Sequence, residues 1–325
     1  MNVFVAGGSG VVGRHLIPAL VARGHDVAAT TTTPEKTTLL ETWGARPIQL
    51  DILDRDAVIR AVADARPDVV VHQATALAGQ LSLRRFDASF ARTNALRTEG
   101  TKNLLVAAAA AGSTRFVAQS FTGWPNARSG GLVKTEADRL DPDPPAATRE
   151  TLAAIRTLEA AVASSTDVTG VVVRYGALYG PGTSLGAGGE MLETVRRGKL
   201  PLVGIGSGVW SFLHVDDMAR ATVAAIESHA EGVYNIVDDE PAPVSEWLPY
   251  LARVLAAKPP RRIPVWVARL IIGAQGVAMM TEMRGSSNAK AKRELGCQAL
   301  YASWREGFTR GLGIAPERSA SREAA

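Results

Sequence analysis

Apolar runs and polar breaks alternate along the 325 residues, and two periods recur. Val3-Phe4-Val5-Ala6 is an apolar run of strand type, and Arg14 to Ala22 follows with helical spacing. The same order returns. Val27 to Thr30, Pro47 to Asp51, Asp68 to His72, Arg115 to Ser120, Val168 to Tyr175 and Gly232 to Val237 read as further strands. Between them, Asp54 to Ala65, Ala91 to Ala111 and Thr148 to Ser164 read as helices, as does a segment capped by Asp216-Asp217 and running to Glu227. The stretch from Ala91 to Ala111 reads as one long helix stopped by Gly112.

Strands that alternate with helices imply right-handed crossovers and a parallel sheet covered on both faces. The expected fold class is α/β: a doubly wound parallel sheet of Rossmann type, about seven strands wide, with a smaller C-terminal substrate lobe. Ser245 to Ala256 and Trp266 to Gln275 read as amphipathic helices of that lobe. Pro125 to Pro145 has no period and reads as a long loop that serves as a lid or touches substrate. Pro181 to Gly189 is rich in glycine and is expected to wrap substrate.

Gly7-Gly8-Ser9-Gly10-Val11-Val12-Gly13 lies between the first strand and the first helix. Glycines with this spacing do three jobs. Gly7 allows a tight turn, Gly10 lets the backbone approach a pyrophosphate, and Gly13 lets the helix pack on the sheet. Free N–H groups at the helix start then face the phosphates. A dinucleotide-binding domain is therefore expected over 1–174 and 213–239. The substrate lobe is expected over 175–212 and 240–315, with a disordered tail at 316–325.

The second strand ends in Thr31-Thr32-Thr33-Pro34-Glu35-Lys36, where a carboxylate would otherwise bind the ribose hydroxyls. Thr31, Thr32 and Lys36 tolerate a 2′-phosphate, so NADP is preferred over NAD. The same residues also suit a plain helix start, a threonine cap with Pro34 at the first position. Ser120 and Thr122 lie just past the fifth strand, at the edge where ligands sit in open parallel sheets. They are candidates to bind a substrate carbonyl. His72 lies within its strand and reads as a packed core residue.

Composition narrows the field. Apolar residues make up 46% and charged residues 21%, a soluble profile. The net charge of +4 is spread thinly, without a basic block interleaved with aromatics, so nucleic acid is not an expected partner. Cys297 is the only cysteine, which fits a reducing, cytoplasmic setting. No His/Cys cluster has metal-ligand spacing. The longest apolar stretch, Val265 to Met280, is interrupted by Arg269, so no membrane span is expected, and strand residues from Asn2 onward leave no signal peptide expected. A small molecule is the expected partner, and a homodimer stays open.

These residues carry a resemblance. The chain resembles the extended short-chain dehydrogenases/reductases, of the NAD-dependent epimerase/dehydratase type, from Asn2 to about Phe308. The matching pieces are Ala6 to Gly13, Asp51-Ile52, Val71 to Ala74, Glu99 to Leu105, Arg174 to Gly182 and Phe212 to Asp217, with Lys292 to Gly296 in the tail. The resemblance implies that Gly7, Ser9, Gly10, Val11, Val12 and Gly13 cradle the pyrophosphate. It implies that Asp51 and Ile52 contact adenine, and that Gln73, Ala74 and Thr75 line the nicotinamide-side ribose. Where the family has an Asn before the Gly-Thr of the long helix, this chain has Arg97, and Asn94 lies one turn earlier.

The family's catalytic Tyr and Lys stand four residues apart on the helix after the long loop. Here Ala153 and Thr157 are expected in those slots, and no tyrosine in the chain has a lysine four residues later. Three readings follow. In the first, the protein is an NAD(P)-dependent reductase of a carbonyl, enone or imine with an unusual proton donor. Tyr175 would then give the proton, directly or through water, while Ser120 and Thr122 bind the substrate oxygen; Lys134 and His214 are weaker candidates. In the second, it is a non-catalytic NADP(H) sensor. In the third, it is a sugar-nucleotide epimerase, the chemistry that most needs the missing pair.

Overall fold

The computed structural model describes residues 1–77 and 82–314, and the tail expected at 316–325 lies outside them. Seven strands form one sheet: β1 (Asn2–Ala6), β2 (Asp26–Thr31), β3 (Arg46–Gln49), β4 (Val69–His72), β5 (Arg115–Phe121), β6 (Thr169–Tyr175) and β7 (Gly232–Ile236). Their order is β7-β6-β5-β4-β1-β2-β3, with every neighbouring pair parallel. The strand order reverses beside β1, which opens a crevice at the carboxyl edge.

Among the described residues, twelve helices follow in chain order: α1 (Val11–Ala22), α2 (Thr37–Thr42), α3 (Arg55–Ala65), α4 (Phe86–Ala95), α5 (Thr101–Ala110), α6 (Arg149–Ala163), α7 (Glu190–Arg196), α8 (Val215–Glu227), α9 (Val244–Val254), α10 (Val265–Thr281), α11 (Ala289–Leu295) and α12 (Trp304–Arg310). Strand alternation decides which side chains meet which helices. Val3, Val5, Val71, Val117 and Val173 bury against α1 and α8. Phe4, Val70, Phe116, Ala118 and Val172 bury on the other face, with α3, α5 and α6. A third core gathers Tyr179, Phe212, Trp247, Trp304 and Phe308 among α7, α9, α10 and α12.

The expected single helix from Ala91 to Ala111 is three pieces. It starts at Phe86 and is interrupted by a π-helical turn at Leu96–Gly100. That wider turn buries both Arg97 and Gly100, and Gly100 presses so closely on Ile52 that a side chain there would displace it. Periodicity could not show this, because Leu-Arg-Thr-Glu is an ordinary helical sequence. β3 ends at Gln49 because Asp51 turns the chain, its Oδ1 accepting the Leu53 N–H. The cap of α8 is His214, which accepts the Asp216 N–H; Asp216 and Asp217 sit in the first turn instead. The long loop is not irregular throughout, since Val133–Lys134 pairs in parallel with Gly285–Ser286.

Candidate active site

The carboxyl ends of β1, β4, β5 and β6 lie in register, with Ala6 beside His72, His72 beside Ala118, and Ser120 beside Arg174. Gly7 leaves β1 with φ of 82°, and a Cβ there would collide with the Ala74 backbone. A Cβ on Gly13 would collide with the Gly8 carbonyl, so α1 packs tightly over the turn. Gly10 differs. It is exposed, it occupies the N-cap of α1, and a Cβ there would meet nothing closer than the Gly7 carbonyl at 3.6 Å. The first turn of α1 has neither a side-chain cap nor an acidic residue, so its N–H groups are left for an anion. Val12 is buried and Val11 exposed in that turn. This cradle fits a pyrophosphate.

Thr30 holds the turn from the side: its Oγ1 accepts the Gly7 N–H at 3.0 Å. Thr31, the next residue, is buried with its hydroxyl 2.9 Å from that of Ser9. Thr32 and Lys36 are exposed, and no carboxylate stands at the end of β2. The helix-start reading is met in part. Pro34 opens a 3₁₀ turn, but the preceding Thr33 makes no side-chain cap bond. Asp51 is paired with Arg92 at 2.8 Å, and Ile52 is buried.

Past the end of β4, Gln73 is buried, Ala74 half-buried and Thr75 exposed. Gln73 Nε2 donates to the Tyr175 hydroxyl at 3.1 Å, and Gln73 Oε1 is buried without a partner among the described residues. The Tyr175 hydroxyl lies 2.6 Å from Thr222 Oγ1, which donates to the Met218 carbonyl. The proton of Tyr175 is thereby committed to Thr222. The side chain is fully buried in the core against α8, and burial pushes its pKa up to about 12. The residue expected as proton donor thus packs in the core with its hydroxyl bonded to Gln73 and Thr222.

The two other hydroxyls are also engaged. Ser120 donates to Glu159 Oε1 at 2.6 Å, and both residues are buried. Its one proton faces α6, so it has none to offer a substrate oxygen. Thr122 lies 2.6 Å from Ser286 Oγ and 3.3 Å from Asn126 Oδ1, in a buried cluster that ties the end of β5 to Gly285–Ser286. Of the weaker candidates, Lys134 is buried on the Ser129 carbonyl and His214 is held between Asp216 N–H and the Gly311 carbonyl.

The α6 slots also need correction. Ala153 and Thr157 are exposed and face away from the sheet. Glu159 faces it, and the residues four and eight before it are Ile155 and Thr151, both fully buried. The line toward the strand ends is therefore Thr151–Ile155–Glu159. It still carries neither tyrosine nor lysine. Asn94 Nδ2 donates to Thr151 Oγ1 at 3.1 Å, while Asp87 caps α6 through the Glu150 and Thr151 N–H groups.

Glu159 receives the guanidinium fork of Arg174 at 2.8 and 2.6 Å. Thr30, Glu159 and Arg174 carry this architecture without having been singled out from the sequence. The available signal was charge at positions where the apolar period demands burial. His72 is buried, as expected. Its Nε2 donates to the Leu96 carbonyl at 3.1 Å and its Nδ1 accepts the Ala74 N–H at 3.3 Å, which sets the neutral tautomer. Burial pulls its pKa down to about 4.

The family model for the NAD dependent epimerase/dehydratase family matches residues 3–237. The chain belongs to that family. It is 46% identical over 315 residues to a 3-diazoavenalumate denitrifying reductase of a Streptomyces species, covering 95% of this chain and 100% of that one. It is 31% identical to a 2-alkyl-3-oxoalkanoate reductase of Stenotrophomonas maltophilia, over 79% of this chain and 76% of that one. A solved human epimerase family protein with NADPH shares the fold, with a TM-score of 0.74 at 23% identity over 95% and 98% of the two chains. This member of the epimerase/dehydratase family is an NAD(P)-dependent oxidoreductase. Among the described residues, no helix is long and apolar enough to cross a membrane, and no group of His, Cys, Asp or Glu is placed to hold a metal ion.

Proposed function

We propose that the protein reduces the terminal diazo group of a small aromatic acid with NADPH and releases dinitrogen. One observation carries the reading: the strand ends and the sheet-facing line of α6 offer a substrate no free proton. Ser120 donates to Glu159 and Tyr175 to Thr222, and Ile155 stands where a lysine would face the ribose. A ketone that accepts hydride becomes an alkoxide and needs a proton, help usually worth about 10²–10⁴ in rate. A diazonium does not. Its terminal nitrogen accepts hydride to give a neutral aryldiazene, Ar–N=N–H, which collapses to Ar–H and N₂. The Streptomyces relative, a denitrifying reductase of a diazo compound, supports the same chemistry.

When bound, the reduced nicotinamide supplies the hydride. In this reading the pyrophosphate lies on Gly7, Ser9, Gly10, Val11, Val12 and Gly13, adenine lies beside Asp51 and Ile52, and Gln73, Ala74 and Thr75 line the second ribose. The orphaned Gln73 Oε1 and Asn94 Oδ1 are acceptors available to ligand hydroxyls. The hydroxyls of Thr31 and Thr32 with Lys36, and the missing carboxylate, favour NADP over NAD.

The test is direct. Purified protein is incubated with NADPH and a diazotised amino-hydroxycinnamate, and N₂ release is followed against NADPH loss. One N₂ per NADPH is expected. Consumption of NADPH by 3-oxoalkanoates with no N₂ from the diazo compound would replace this reading with that of a carbonyl reductase.

A further inference from the structure

Arg97 is an arginine where a buried ion pair is missing its anion. It lies on the π-helical turn, is only 7% exposed, and its Nη1 is buried without a partner among the described residues. Three neighbours face it. Phe90 on α4 offers its ring 5.8 Å from the guanidinium carbon. His72 on β4 is neutral and repels it if protonated. Glu159 on α6 attracts it, but both oxygens of that carboxylate are already taken by Arg174 and Ser120. Two guanidinium groups and one carboxylate are thus buried together, with a net charge of one. An uncompensated buried cation is costly unless an anion joins it.

In the reading above, the position is beside the nicotinamide end of the crevice. Thr93, one turn earlier, accepts the Ala76 N–H at 3.0 Å, and Leu96 accepts from His72. Residues 93–97 therefore pack directly on the 72–76 loop. An aromatic run leads to the same place: Trp124 meets the edge of Phe86 at 5.1 Å, and Phe86 stacks on Phe90 at 4.4 Å. Trp124 belongs to the loop just past Thr122.

We infer that Arg97 is the specificity residue for the carboxylate of the substrate, with Trp124, Phe86 and Phe90 flanking its aromatic body. The inference rests on the reading above, in which the crevice beside α6 takes the substrate. It needs no turnover to be tested. Binding of cinnamate and of methyl cinnamate to the protein saturated with NADP⁺ is measured by calorimetry. Wild type prefers the acid by about tenfold or more, the scale of a charge-assisted hydrogen-bond pair. Arg97→Met loses that preference while its affinities for methyl cinnamate and NADP⁺, and its thermal midpoint, hold. If R97M does not fold, Arg97→Gln is titrated in its place with the same expectation.

A wild-type protein that binds ester and acid alike overturns the inference, as does a folded variant that keeps the preference. Failure of the reductase reading looks different. In that case NADP⁺ does not bind, or no N₂ is released, whatever the acid-to-ester ratio.

Discussion

Ser120 gives its hydroxyl proton to Glu159 across 2.6 Å, and Arg174 grips the same carboxylate from the neighbouring strand. A residue at the ligand edge of the sheet is thereby turned inward. It can accept a hydrogen bond but not donate one. Ser120→Ala is expected to leave the diazo-reducing kcat/KM within about threefold, far short of the 10²–10⁴ that loss of a general acid costs. Steady-state rates of N₂ release check this.

Glu159→Gln should act on stability instead. It leaves the buried Arg174 without its carboxylate, and breaking a buried pair in this way costs about 3–5 kcal/mol. Urea unfolding of the variant should show a clearly lower midpoint. An unchanged midpoint would mean that the network is solvated and the proton of Ser120 is free after all.

Tyr175→Phe removes one hydroxyl from the Gln73–Tyr175–Thr222 chain and strands the Gln73 amide. The expected cost is about 1–3 kcal/mol in unfolding free energy. The pH dependence of activity should stay where it is, because a buried phenol with pKa near 12 does not titrate in the working range. A shifted basic limb in Y175F would restore tyrosine to the chemistry.

Gly10→Asp separates folding from coenzyme binding. Gly10 already has the extended backbone of an N-cap, and its Cβ direction is open. Aspartate caps helices at least as well as glycine, so thermal stability should hold or rise slightly. The same carboxylate would meet the pyrophosphate head on, and NADPH affinity should fall by about a hundredfold or more. A G10D protein that still quenches its tryptophan fluorescence with NADPH at wild-type concentrations would move the coenzyme away from this turn.

Acid should destabilise the protein through His72. Its folded pKa, about 4, lies below the ordinary 6.5, so the unfolded chain binds more protons between those values. The stability is present above about pH 6.5 and is lost as pH falls toward 4. The slope is at most about 1.4 kcal/mol per pH unit for one proton. Denaturant midpoints at pH 7.5 and 5 in wild type and His72→Gln measure it; the variant should show the shallower dependence.

Much of the architecture was legible in residue order. The strand–glycine–helix start and the alternation that followed it led to a seven-stranded parallel sheet, and the Tyr/Lys pair was visibly missing. The site was legible only in part. Ser120, Thr122 and Tyr175 were nominated because all three stand at strand ends, and strand-end position is what sequence order reveals. Where their protons point depends on Glu159, Ser286 and Thr222, which lie 39, 164 and 47 positions away. The helix face of α6 was misplaced by two residues for a related reason: a 3.6-residue period rich in alanine leaves the buried line ambiguous.

The sequence by itself determined the sheet, the glycine turn and the absence of an acid–base pair, because these depend on neighbours a few residues apart. Only the tertiary structure decided that the hydroxyls of Ser120, Thr122 and Tyr175 are engaged and that Arg97 lacks an anion among the described residues. Hydrogen bonding and burial are properties of groups brought together from distant parts of the chain, and no local pattern encodes which of them will meet.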